Sequence, residues 1–120
     1  WLRGSPGTGK TAICMSVAST LNGQGTLAAS FFWDKNQAAT GLDSIEHFPS
    51  TLARQFAVFN EDFKMSLVKH LRHPSLDFVT SLPLDDQMNC LIIKPMYDMI
   101  EMLPSGTDRF VVVLDGLDEC

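Results

Sequence analysis

The 120-residue chain has no run of lysine and arginine, and its nine basic residues face fourteen acidic ones. The net charge of −5 weighs against nucleic acid as a main partner. No apolar stretch approaches the ~20 residues that cross a bilayer, and no charged n-region leads into an apolar h-region. Neither a membrane span nor a secretion signal is therefore read here. Cysteine is scarce and odd in number: Cys14, Cys90 and Cys120, with no C-x-x-C pair. That count points away from a disulfide framework or a zinc site and toward reduced thiols in a cytoplasmic protein. Internal repeats and low-complexity tracts are missing too. An initiator Met is lacking, and the chain opens on Trp1-Leu2-Arg3 and stops at Asp118-Glu119-Cys120. It reads as one domain at most, a piece of something longer, so the absent targeting signals say little about the parent.

What is present is concentrated in two motifs. Gly4, Ser5, Pro6, Gly7, Thr8, Gly9, Lys10 and Thr11 fit G-x-x-x-x-G-K-[ST] at every fixed position. The glycines let the backbone turn so that its N–H groups face phosphate oxygens. Lys10 is placed to supply a point charge for the β- and γ-phosphates, and the Thr11 hydroxyl can ligate Mg²⁺. A helix beginning near Lys10 adds its positive end to the same anion.

Between the motifs the chain reads as alternating strands and helices. Trp1 and Leu2 look like the end of a buried strand. Ala12, Ile13, Val17, Ala18 and Leu21 make an apolar face on a helix from Lys10 to Leu21, stopped by Asn22-Gly23. Residues 26–33, Thr-Leu-Ala-Ala-Ser-Phe-Phe-Trp, predict a strand buried on both faces. Residues 34–43 are polar and end it. Pro49 suits the first turn of a helix to Phe59, and Asn60 suits the N-cap of another to about His70, with Phe63, Leu67, Val68 and Leu71 on its inner face and Pro74 ending it. Residues 75–84 have weak periodicity. Asp85 to Ile93 looks helical, and Pro95 either kinks that helix or begins the next, with Met96, Met99, Ile100 and Leu103 on one face. Phe110 to Leu114 is a β-branched apolar run that reads as a buried parallel strand. The order predicts an α/β fold with a parallel sheet and right-handed crossovers.

The second motif is that strand's end: Val113-Leu114-Asp115-Gly116-Leu117-Asp118-Glu119. Ligands of open α/β sheets sit beyond the carboxyl ends of strands, so Asp115 and the glycine-rich loop converge on one crevice. Asp115 can hold Mg²⁺ there, directly or through water, opposite Thr11. Asp118 or Glu119 is the catalytic candidate, orienting or deprotonating water.

Together the two motifs resemble the NACHT domain of the STAND P-loop NTPases, most nearly the fungal NOD-like receptors and the nephrocystin-like N-terminal P-loop region. The acid, small, apolar, acid, acid order at residues 115–119 carries the likeness. It implies a P-loop three-layer α/β/α domain, of which residues 1–120 are a part running from Walker A to Walker B. In that family a later strand lies between the first and the Walker B strand. The likeness also implies ATP or GTP with Mg²⁺ as cofactors, and a slow-hydrolysing switch within a signalling receptor. As partners it implies the nucleotide and the other domains of a parent chain, with room for nucleotide-dependent self-association, but neither nucleic acid nor membrane. Two other readings stand beside the switch: a conventional P-loop kinase or NTPase with rapid turnover, and a nucleotide-free interaction scaffold. The first needs an acceptor site or an arginine finger, for which Arg3, Arg54, Arg72 and Arg109 qualify by charge alone. Intact Lys10, Thr11 and Asp115 speak against the second.

Other residues read as structural. His70 and His73 sit three apart on a helix end but lack a third metal ligand nearby in sequence. His47 reads as a lone, exposed side chain. Met88, Met96, Met99 and Met102 suit core packing, and Asp85 and Asp86 suit a helix start. Cys14 is near enough to the loop for a helix terminus to lower its pKa, though burial is the stronger expectation. Trp33 and Asp34 end a strand, either near the crevice or in the core.

Overall fold

A computed structural model of the chain describes residues 1–33, 45–73, 78–102 and 109–117. Helix α1 runs Lys10–Gly23, strand β1 Leu27–Phe32, helix α2 Phe48–Phe59 and helix α3 Glu61–Leu71. Helix α4, Leu84–Met88, passes through a π-turn at Asn89–Ile93 into α5, Lys94–Met102, and strand β2 closes the described order at Val111–Asp115. Short 3₁₀ turns sit at Ile45–His47 and Val79–Ser81. The strands pair in parallel, Ala29 with Val112 through Phe32 with Asp115. The architecture is thus mixed helix and strand around a two-stranded parallel sheet, compatible with the α/β class. One extra residue, Ala28, bulges from β1 between Leu27 and Ala29.

The local chemistry accounts for most element ends. Helix α1 stops one residue pair later than Asn22-Gly23 suggests. Gly25 takes the left-handed conformation at φ 70°, Thr26 N–H donates to Leu21 O, and Gly25 N–H donates to Asn22 O. Those crossed bonds form a Schellman cap, for which glycine is suited because it carries no Cβ. Asn60 ends α2 and begins α3, its Oδ1 accepting from Phe63 N–H at 2.8 Å. Pro95 neither breaks nor restarts the last helix. It lacks an N–H and crowds the carbonyl one turn back, and the π-turn just before it absorbs the misfit. Gln87, buried in α4, donates to Thr80 O and Leu82 O and ties down the preceding turn.

The core gathers Ala28 and Ala29 of β1, Leu52, Ala53 and Phe56 of α2, Phe63 and Leu67 of α3, and Leu91, Ile92 and Met99 beyond. Phe56 meets Phe63 at a ring-centroid distance of 5.4 Å. Asp98 of α5 accepts from Ser66 and lies 2.9 Å from His70 Nε2, a polar link between α5 and α3. His70 is thus engaged with Asp98.

Four expectations fail on packing. Residues 1–3 form no strand, and Trp1 is 94% exposed. A strand needs a neighbour for its N–H and C=O groups, and among the described residues β1 and β2 pair only with each other. The apolar face of α1 is mostly open for the same reason. Only Ala18 is buried, while Ile13 and Val17 stay about half exposed. Strand β2 is half-buried rather than buried, and Phe110 before it is exposed. On α3, Val68 and Leu71 are exposed and Ser66 is buried in their stead. Expectations for residues 34–43, Pro74, Leu103 and residues 118–120 lie outside the described residues. Among the described residues no helix is long and apolar enough to cross a membrane.

Two substitutions weigh these contacts. Phe63, 1% exposed, anchors α3, and Phe63→Ala is expected to cost about 3–5 kcal/mol in denaturant unfolding. Asn60→Ala, which removes the cap, is expected to cost about 1 kcal/mol, with Asn60→Asp close to wild type. Equal losses for the alanine and aspartate variants would show that the cap bond contributes nothing.

Candidate functional site

Gly7 and Gly9 take φ values of 78° and 84°, a region that side chains with a Cβ avoid. With Gly9 left-handed at the N-cap and Ile13 N–H donating to Gly9 O, the first α1 amides lack intrahelical partners. They open toward the loop, and together they form a small concavity of a shape that suits an anion. Lys10 Nζ folds back over the loop, donating to Gly4 O at 2.7 Å and Ser5 O at 3.0 Å. Thr8 Oγ1 donates to Ser5 O at 2.7 Å. The loop is therefore shaped by its own side chains, with the ammonium bridging its start to the first turn of the helix.

Strand β2 delivers Asp115 to the same place. Pro6, Gly7, Gly9, Lys10, Thr11, Asp115 and Gly116 line one open cavity of about 460 Å³. The two sequence motifs thus meet, as their positions at a strand end and a helix start require. Gly4, Ser5 and Thr8 belong to the loop without lining that cavity, whereas Asp118 and Glu119 lie outside the described residues. None of Arg3, Arg54, Arg72 or Arg109 lines it. Arg3 leans over the Trp1 ring, and Arg54 faces a separate groove along β1.

Two contacts here are not evident from the motifs. Gly116 has φ 75°, and a Cβ added to it would lie 2.8 Å from Trp33 O and 2.9 Å from Trp33 Cβ. Trp33 N–H donates to Asp115 O, so the end of β1 is pressed against the turn after Asp115. Trp33 itself is buried in an aromatic trio with Phe31 and Phe48, at centroid distances of 4.5 and 4.9 Å. It belongs to the core rather than to the cavity lining. The small residue after Asp115 was a pattern in the sequence; its physical cause is this close approach.

The second contact is Cys14, one helical turn beyond Lys10. Its thiol pKa is raised above 9.0, first by burial and then by the Asp115 carboxylate, with which it shares a hydrogen bond. That reverses the lowering that a helix N-terminus would give. The fourfold spacing from Lys10 to Cys14 could have signalled a shared helix face, but not that Asp115 sits opposite. Among the described residues no three His, Cys, Asp or Glu side chains cluster for a metal. A hydroxyl at Thr11 and a carboxylate at Asp115 are hard oxygen donors on one cavity, and they suit Mg²⁺, which keeps several water or phosphate ligands.

The family model described as nephrocystin 3, N-terminal, matches residues 1–120. The chain belongs to that family. No curated protein and no solved structure matches it. Membership in the nephrocystin 3 N-terminal family agrees with the nephrocystin-like part of the resemblance read from residues 4–11 and 115–119.

Gly116→Ala is expected to destabilise more than Gly7→Ala. Both carry a positive φ, costing about 1–2 kcal/mol, but at Gly7 a Cβ meets nothing within 4 Å. Denaturant unfolding of the two variants checks the order, which the Trp33 contact requires. The Cys14 thiol has its own test in metal-free buffer. Its raised pKa means that the folded state favours the protonated thiol. The resulting stabilisation is fully present below pH 9.0 and lost as pH rises through the folded value. Iodoacetamide should label Cys14 more slowly than a free thiol at pH 8.5, and faster in Asp115→Asn. Unchanged labelling in that variant would remove the carboxylate as a cause.

Proposed function

We propose that the chain is the phosphate-binding part of a nucleotide-operated switch, a Walker A to Walker B segment of a NACHT-type P-loop NTPase within a larger signalling protein. The observation that carries this is the shared cavity. Gly7, Gly9, Lys10 and Thr11 from one motif face Asp115 and Gly116 from the other. On this reading the loop amides and the α1 terminus bind the phosphates of ATP or GTP. Lys10 leaves the Gly4 and Ser5 carbonyls for the β- and γ-phosphates, exchanging neutral acceptors for charged ones. Thr11 and Asp115 hold Mg²⁺, which screens phosphate charge when bound. Asp118 or Glu119 orients the attacking water. Nephrocystin-family membership supports the NOD-like setting, and cytoplasmic residence belongs to the same proposal.

Switching is preferred here on the resemblance of residues 4–11 and 115–119 to the STAND class; among the described residues no arginine lines the cavity. A switch also sets an energetic requirement. Moving a two-state protein from about 1:99 to 99:1 needs roughly 5.5 kcal/mol of differential nucleotide affinity.

Fluorescent ATP and GTP analogues titrated against the intact protein test the reading. Lys10→Ala is expected to lose at least about tenfold in affinity, the equivalent of one charge-assisted hydrogen bond. Asp115→Ala should keep weak Mg²⁺-free binding and lose the gain that Mg²⁺ brings. Absence of binding by the wild type rejects the proposal, and turnover near the enzyme median of about 10 per second rejects the switch in favour of a conventional NTPase.

A further inference from the structure

Strand β1 has one strand neighbour among the described residues, and its other edge is occupied by a side chain. Gln55 of α2 donates from Nε2 to Ser30 O at 2.9 Å, and its Oε1 accepts from Ser30 N–H at 2.8 Å. A carboxamide carries a donor and an acceptor side by side, as a strand does. Gln55 therefore copies one residue of a neighbouring strand. Beside it an open groove of about 620 Å³ runs along the edge, lined by Leu27 to Ser30 of β1 and by Ser19, Arg54 and Val58. There is room next to the edge, and the amide stands in it.

The strand has few other protections. Thr26 to Trp33 contains no charge and no proline and ends in three aromatics. Such a segment, exposed at an edge, pairs readily with a copy of itself. The usual remedies are a lysine, a proline or a bulge within the edge. Here the bulge at Ala28 disturbs only the start of β1, which leaves its middle at Ser30 to be guarded from outside.

We infer that Gln55 is an edge stop: its amide closes β1 to strand addition by a second copy of this chain. When the amide is withdrawn, the Ser30 N–H and C=O become free, and two β1 edges pair about a two-fold axis. This device is independent of nucleotide binding.

Gln55→Leu tests it, in the intact protein without nucleotide, by light scattering after size exclusion and by infrared bands of intermolecular strands. The average mass is expected to rise to at least about double that of the wild type at equal concentration, as a freed edge requires. Ser30→Pro added to Gln55→Leu removes the outward N–H while leaving the bonds to β2, and should return the mass to the wild-type value. Gln55→Asn, one methylene too short to reach, should associate as Gln55→Leu does and serves where the leucine variant does not fold. Leu67→Ala, destabilised in the core away from the edge, should keep the wild-type mass. Unchanged mass in both Gln55 variants overturns the inference. So does equal association by Leu67→Ala, or association that persists with Ser30→Pro.

Discussion

Everything that makes a site here depends on the parallel pairing of β1 with β2. The two strands are separated in sequence by four helical segments, and their register, Phe32 opposite Asp115, is what carries Asp115 to the mouth of the glycine-rich loop. Parallel pairing leaves both carboxyl ends on the same side, so Trp33 and the turn at Gly116 are forced into contact. The backbone bond from Trp33 to Asp115 O extends the ladder one residue past the strand. The helices between them supply the core that holds the pairing. Phe56 and Phe63 pack at one end, where Phe110 precedes β2, and Phe31, Trp33 and Phe48 pack at the other.

That arrangement explains which features were legible in the sequence. Helix starts and caps are local events: Asn60 bonds three residues on, and Pro49 sits in the first turn of α2. The loop is local as well, since its glycines act through their own φ values. Strand existence was readable from apolar runs because β-branched and aromatic residues cluster there. What was not readable depended on partners. Among the described residues Trp1 and Leu2 have strand-like character but no neighbouring strand to bond, and the apolar stripe of α1 meets only a two-stranded sheet. Val68 and Leu71 fall on the predicted face of α3, yet the α5 contact is made through Ser66, His70 and Asp98 instead.

At the site, spacing identified the residues and missed the reasons for them. Glycine at position 116 follows from its neighbour in space, Trp33, which the chain order does not reveal. Cys14 shows the limit of arguing from one element. A helix terminus lowers a thiol pKa, but partial burial first, and the Asp115 carboxylate second, raise it. Gln55 is a further case. In sequence it is one polar residue on an amphipathic helix; in the fold its amide substitutes for a strand.

The loop's internal bonds bear on how a switch built on this site would spend its binding energy. Left-handed Gly7 and Gly9 and the bond from Thr8 to Ser5 O set the bend of the loop without an anion, whereas Lys10 would have to leave the Gly4 and Ser5 carbonyls to reach a phosphate. Preorganisation of that kind favours affinity, whereas switching needs affinity that differs between two states. The difference must then come from elements other than the loop. The contact of Trp33 with Gly116 joins Asp115 to the aromatic core, so it is one place where such a difference would be felt. On the proposed reading, the glycine-rich loop supplies the grip, and the core behind Asp115 ties that carboxylate to the rest of the fold.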